Sequence, residues 1–192
     1  MKNLKNLSDE QLVEMVYSSN KEAYQQLVER YQEKLVRYVS YLVGDENLAA
    51  DATQQAFIKA YINLRSFNLK KKFSSWVYRI AHNEAINLVK KEKRKVSLED
   101  NSCLEEVLKG KTNIEVEFEK KEIKRLIRGS LKKLPIKYRS PLVLFYLDGY
   151  SYEEISDILR KPTGTIGTLI NRGKKLLKIV IEKKGGKNYV QK

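Results

Sequence analysis

Apolar residues recur along this chain at helical spacing, and no run alternates in the manner of strands joined by hairpin turns. Tyr24, Leu27, Val28, Tyr31, Leu35, Tyr38, Val39 and Leu42 follow the three- and four-residue steps that place side chains on one face of a helix. Gly44 and Asp45 close that helix. Ahead of it, Ser8 and Gln11 match the reciprocal N-terminal cap of a short helix carrying Leu12, Val13 and Val16. A third helix runs from about Asn47 to Leu64, with Ala49, Ala52, Ala56, Ala60 and Phe57 on one side. Those small residues allow a close helix–helix approach. A fourth begins near Phe73 or Ser74 and continues into the basic run Lys90–Lys95. Residues 8–95 therefore read as a four-helix domain.

From Val96 to Asn113 the apolar positions are sparse and without period, and Asn101, Ser102, Gly110 and Asn113 are loop formers. The helical period returns at Glu117–Leu131 with Phe118, Ile123, Leu126 and Ile127, and Leu134–Pro135 breaks it. Arg139–Leu147 is a short apolar helix ended by Asp148–Gly149. Ser151 and Glu154 then form a second reciprocal cap, ahead of a short helix with Ile155, Ile158 and Leu159. Arg160–Lys161–Pro162 turns the chain into a longer helix whose inner stripe is Ile166, Ile170, Gly173, Leu177 and Val180. A short scaffold helix, a tight turn and a longer second helix make a helix-turn-helix. The fold class is thus all-α, with two small helical domains joined by a flexible linker. The expected boundaries are 1–95, an acidic linker at 96–116, 117–184, and a flexible tail at 185–192.

The polar faces then carry the chemistry. On the fourth helix, Arg79, His82, Asn83, Asn87, Lys90 and Lys93 lie largely opposite Val77, Ile80, Ala81 and Leu88, with Trp76 at the border. Glu84 and Glu92 project to the other side, so the polar face lacks carboxylates and suits phosphates and base edges. His82 reads as a surface polar residue. On the last helix, Gly164, Gly167, Thr168, Asn171, Arg172, Lys174, Lys175 and Lys178 face outward with no acidic interruption. The plain alternatives are an amphipathic helix with a solvated outside and a helical hairpin without a DNA role.

Charge sharpens this division. The 192 residues carry 38 Lys+Arg against 24 Asp+Glu, a net +14. The excess falls in three blocks: +7 over 69–95, +8 over 120–147 and +7 over 162–192. The intervening segments are acidic, −5 over 96–119 and −2 over 148–161, and the first 68 residues are near balance at −1. Such a distribution favours nucleic acid, an acidic protein or an anionic surface as partner. The single cysteine, Cys103, excludes an internal disulfide framework, and with His82 as the only histidine a His/Cys metal cluster is untenable. No phosphate loop or nucleophile motif points to an enzyme. No run approaches the roughly 20 apolar residues of a membrane span, so no membrane insertion and a cytoplasmic protein are expected.

Two segments, in order and spacing, resemble the alternative sigma factors of the extracytoplasmic-function type. The first combines Ala23–Tyr31, Asp51–Tyr61 and Phe73–Asn83; the second combines Leu134–Pro135 with Arg139, Gly149–Ile155, Gly164–Ile166 and Arg172. The match spans roughly residues 8–182. The resemblance implies that the helix around Asp51–Tyr61 docks on the clamp of core RNA polymerase, through Asp51, Gln54, Gln55 and Lys59. Gln55 stands where the family usually has Glu, and Phe57 reads as core. The resemblance also implies that the loop before the Trp76 helix receives an extruded base of the non-template strand at the minus-ten element. Asn68, Lys70, Lys71, Lys72, Trp76, Arg79, Asn83, Asn87 and Lys90 are the candidates for that strand, with Trp76 equally well read as a buried aromatic at the helix start. The last helix would read the minus-thirty-five duplex through Thr165, Gly167, Thr168, Asn171, Arg172, Lys174 and Lys175. Gly167, Leu169 and Asn171 depart from the family's usual residues, which implies an unusual upstream preference.

The expected protein is a promoter-specificity subunit and not an enzyme, with core RNA polymerase and promoter DNA as partners and no cofactor or metal. An anti-sigma factor is a common further partner in the family, and no residue pattern in the chain points to one. The runner-up is a stand-alone helix-turn-helix regulator, which would read paired half-sites as a dimer. Residues 8–95 would be superfluous in it.

Overall fold

The computed structural model describes residues 4–98 and 125–183, and every regular element among them is helical. The first unit contains α1 (Asp9–Tyr17), α2 (Lys21–Val43), α3 (Glu46–Ile62) and α4 (Phe73–Leu98), with single 3-10 turns at Leu4–Asn6 and Leu64–Ser66. The second contains a helix over 125–132 (α5), α6 (Ile136–Tyr146), α7 (Tyr152–Leu159) and α8 (Thr163–Lys183). Helix α4 runs to Leu98, past the boundary expected at 95. The rest of the acidic linker, Cys103, the expected helix start at Glu117 and the tail lie outside the described residues.

The caps form as the sequence predicts. Ser8 Oγ accepts from the Gln11 amide at 3.2 Å, while Gln11 Oε1 accepts from the Ser8 amide at 2.9 Å. Asp45 caps α3 by accepting from the Leu48 amide at 2.8 Å. Gly44, at φ +89°, ends α2 in the left-handed region that only glycine adopts cheaply. The chain can therefore reverse within two residues. A Cβ there would also stand 2.7 Å from the Lys132 side chain.

The first core is aromatic and built around α2. Leu27, Leu35, Tyr38 and Leu42 of α2 are buried against Ala49, Ala52, Ala56 and Ala60 of α3 and Phe73, Val77, Tyr78, Ala81 and Ala85 of α4. Phe57 is buried, as expected. His82, in contrast, is not the surface residue its polar neighbours suggested. It is half-buried, and its Nδ1 lies 2.9 Å from the Tyr38 hydroxyl. The second core is aliphatic: Leu142, Val143, Leu144, Ile155, Ile158, Ile166 and Ile170. Gly173 lets α8 approach α6, since a Cβ would meet Leu142 Cδ1 at 2.9 Å.

The two units pack together, α6 against α2 and α7 against α4. Arg139, buried at the start of α6, donates from Nη1 to Leu42 O at 2.6 Å and from Nη2 to Leu134 O at 2.8 Å and to Lys132 O. Its charge sits on the C-terminal carbonyls of α2, where the helix dipole favours a cation. Arg37 donates to Asp148 Oδ1 at 2.7 Å, Arg128 pairs with Glu46 at 2.7 Å, and the rings of Tyr78 and Tyr150 meet edge to face at 4.9 Å.

Candidate functional site

Three surfaces hold the residues singled out from the sequence. The first is a groove of about 640 Å³ between α2 and α3. Asp51 and Gln54 line it, together with Tyr24, Val28, Val36, Ile58, Tyr61 and Ile62. Ile58, Tyr61 and Ile62 are 45%, 47% and 72% exposed, unusual for large apolar side chains this close together. Tyr24 holds its position by donating to Phe57 O at 2.5 Å and by packing edge-on against Tyr61 at 4.8 Å. Gln55 and Lys59 are exposed but do not line the groove, and Lys59 pairs with Glu84 of α4 at 2.7 Å. The sequence reading missed the apolar lining. Its signal was present: Gln54, Ile58, Tyr61 and Ile62 follow helical spacing on the side of α3 away from the alanine stripe.

The second surface is the loop over 66–72 with the start of α4. Asn68 orders the loop, because its Oδ1 accepts from the Lys70 amide at 2.9 Å and its carbonyl accepts from the Lys71 amide at 2.8 Å. Beneath it lie Phe67, Phe73 and Trp76, with ring centroids 5.3–5.8 Å apart. Trp76 is buried in this cluster, so of its two readings, a stacking face and a buried aromatic at the helix start, the second holds and the ring floors the loop. The burial follows from its position three residues after Phe73, on the inner edge of α4. Lys70, Lys71, Lys72, Asn83, Asn87 and Lys90 are exposed. Arg79 is half-buried, and burial followed by the nearby Arg160 lowers its pKa. A small cavity of about 240 Å³ lies among Asn68, Lys71, Trp76, Arg79, Asp157 and Arg160.

The third surface is the outer face of α8. Thr165, Thr168, Asn171, Arg172, Lys174 and Lys175 are all exposed. Gly167 is half-buried under the Tyr152 ring, which would stand 3.4 Å from a Cβ there, so it is not fully outward as its spacing suggested. The Thr168 hydroxyl donates back to Gly164 O at 3.0 Å. The turn before α8 is made by Arg160 in the left-handed region, φ 53°, and Ser151 and Glu154 cap α7 reciprocally.

Among the described residues no group of His, Cys, Asp and Glu could hold a metal, and no helix is long and apolar enough to cross a membrane. The described residues define a class: a two-unit helical protein with a helix-turn-helix in the second unit, a lysine-rich loop in the first and a groove with exposed apolar side chains between α2 and α3. The Sigma-70 region 2 family matches residues 27–95, and the Sigma-70 region 4 family matches residues 124–177. The chain is 34% identical over 173 residues to the ECF RNA polymerase sigma factor SigW of Bacillus subtilis (strain 168), covering 86% of this chain and 92% of that one. It is 35% identical over 178 residues to the ECF RNA polymerase sigma-E factor of Escherichia coli (strain K12), covering 89% and 93%. In fold it is similar to CnrH, solved with the cytosolic domain of CnrY, at TM-score 0.68 and 21% identity over 91% of this chain and 97% of that one. The chain belongs to the extracytoplasmic-function sigma factors. It is an initiation factor and not an enzyme, and it directs promoter-specific transcription as a partner of core RNA polymerase and promoter DNA.

Proposed function

We propose a division of that work among the three surfaces. The α2–α3 groove docks core polymerase, with Asp51 and Gln54 at its polar edge and Ile58, Tyr61 and Ile62 as the apolar anchors. The observation that carries this reading is the exposure of those three side chains in one groove, where a monomer gains nothing by leaving them in water. The loop at 66–72 and the α4 face hold the melted non-template strand of the minus-ten element. Lys70, Lys71, Lys72, Arg79 and Lys90 face phosphates, Asn83 and Asn87 face nucleotides, and Asn68 shapes the loop. The α8 face enters the minus-thirty-five major groove, with Thr165, Thr168, Asn171 and Arg172 toward bases and Lys174 and Lys175 toward phosphates. The domains at 1–95 and 117–184 divide at the acidic segment, and the protein works in the cytoplasm with the polymerase. An anti-sigma factor would compete for these same surfaces.

Run-off transcription with and without core enzyme tests the reading. Product is expected only with core, and tight specific duplex binding by a dimer of the free chain would overturn it in favour of a stand-alone regulator. In the same assay Lys71→Ala and Asn83→Ala should reduce open-complex formation more than core binding. If both variants simply failed to bind core, the strand-facing role would be wrong. Ile62→Asp should do the reverse and lose core binding.

A further inference from the structure

Helix α1 grips the loop at 66–72 from both of its ends. At the far end, the backbone amide of Phe73, the first residue of α4, donates to Glu10 Oε1 at 3.2 Å. Lys72, which precedes Phe73 and whose carbonyl accepts from the Trp76 amide, has no side-chain acceptor with which to cap the helix. The acceptor comes instead from a residue 63 positions earlier. At the near end, the Tyr17 hydroxyl donates to Leu64 O at 2.9 Å, in the 3-10 turn that leads into the loop. Asp9 strengthens the first grip. It accepts from the Tyr31 hydroxyl and from Arg30 Nη1, the latter at 2.8 Å, and the Tyr31 ring packs edge-on against Phe73 at 5.7 Å. Two adjacent carboxylates of α1 thus fix Phe73, one through its backbone and one through its ring.

The spacing turns these contacts into a brace. Glu10 and Tyr17 stand seven residues apart, two turns of one helix, so they share a face and lie about 10 Å apart along its axis. Helix α1 is itself anchored, with Leu12 and Val13 fully buried in the first core and its start fixed by the reciprocal cap at Ser8. A rigid helix of set length therefore determines how far apart the two ends of the loop stand. We propose that Glu10 and Tyr17 are positioning residues of the minus-ten apparatus: they hold the mouth of the 66–72 loop at the width that admits the non-template strand. The inference rests on the reading of that loop as the single-strand site. A carboxylate beside a phosphate track repels it unless its charge is engaged elsewhere, and that of Glu10 sits at the N-terminus of α4, where the helix dipole favours an anion. Closing the ends of the loop in advance also removes part of the ordering cost from strand capture.

Glu10→Leu and Tyr17→Phe, singly and together, remove the contacts while keeping most of the side-chain bulk, and Glu10→Gln keeps an acceptor for the Phe73 amide. Holoenzyme assembled with each full-length chain transcribes a duplex pool randomised over the minus-ten element, and the transcribed templates are sequenced. The unchanged chain and Glu10→Gln are expected to enrich the same narrow set of minus-ten sequences. The double variant is expected to bind core as the unchanged chain does, to give several-fold less product and to enrich a broader set. Less product with the same narrow set would report lost stability alone and overturn the brace, as would no change at all. If Glu10→Gln fails as Glu10→Leu does, the amide contact is not the cause and the role of Glu10 is overturned. Lys71→Ala and Asn83→Ala keep the two readings apart. If they alter the enriched set and the double variant does not, the brace alone falls; if none of them alters it, the strand-facing reading falls as well. Should Glu10→Leu fold poorly, judged by the emission of Trp76, Tyr17→Phe removes a single oxygen and must still broaden the set, and a set left narrow there would overturn the brace.

Discussion

The two surfaces proposed to face DNA are built by opposite means. The α8 face is one regular helix, its exposed residues fixed by the helical repeat and its back by Ile166, Ile170 and Gly173. The loop at 66–72 has no such repeat, and its shape comes from an Asx turn at Asn68 over a floor of Phe67, Phe73 and Trp76. A straight helix fits the regular groove of a duplex. A melted strand has no groove, so its site needs a backbone that bends and a rigid base beneath. The cost is that the loop depends on distant packing in a way the helix does not. Two lysines of the loop also pair with carboxylates of α7, while the α8 residues named above are exposed.

Phe73→Ala is the sharpest way to break this comparison. Phe73 is fully buried and touches the rings of Tyr31, Phe67 and Trp76, and its amide donates to Glu10 Oε1 at 3.2 Å. Losing the ring should cost about 3–5 kcal/mol. Trp76 is the only tryptophan, so its fluorescence reports on the floor of the loop directly. Denaturant unfolding followed by that signal should move to much lower midpoint, while binding of α8 to duplex minus-thirty-five DNA changes far less at low denaturant. Equal losses at both surfaces would mean that the α8 site leans on the first core as heavily as the loop does.

Arg139→Ala comes next, and acts on the packing of the two units. It leaves the carbonyls of Leu42, Lys132 and Leu134 without their charged donor, and the Leu42 bond is the one that crosses the seam of the two units. Loss of the Leu42 bond between the units suggests about 1.5–3 kcal/mol. The loss should appear as separation of the units, read as an increase in the radius of gyration by X-ray scattering. A destabilised chain of unchanged dimension would show that Arg139 serves only the turn between α5 and α6.

Much of this was legible in the sequence and some was not, for physical reasons. The helices, both reciprocal caps, the Gly44 reversal and the helix-turn-helix follow from local rules, and local rules are written in neighbouring residues. The α2–α3 groove needed one more step, because α3 is apolar on two sides and the alanine stripe drew the eye to only one. Gly167 and His82 were misplaced because each owes its burial to a residue distant in sequence: Tyr152 and Tyr38. The pairing of Lys71 and Lys72 with α7 bridges more than eighty positions, and no periodicity encodes a contact of that range.

His82 gives the smallest effect and separates burial from charge. Burial, and then the positive Lys161, push its pKa down to about 4 from the usual 6.5. Burial also holds the Tyr38 phenol well above its ordinary range, so that hydroxyl keeps its proton and can donate to Nδ1 of a neutral ring. The unfolded chain takes up a proton at His82 below about pH 6.5, and the folded chain resists doing so until about 4. Stability therefore falls as pH drops through that window, and this contribution stops changing below it. At about pH 5 the loss from one such group is bounded at roughly 2 kcal/mol. Asp148 works the other way nearer the carboxylate range, since burial raises its pKa while the Arg37 contact offsets part of the rise. Urea unfolding at about pH 7 and about pH 5, run on the unchanged chain and on His82→Gln, separates the histidine's share from that of such groups. The unchanged chain should lose stability between the two, and His82→Gln should remove that loss. If the variant keeps the full pH dependence, the proton is taken up elsewhere, and the half-buried ring contributes packing alone.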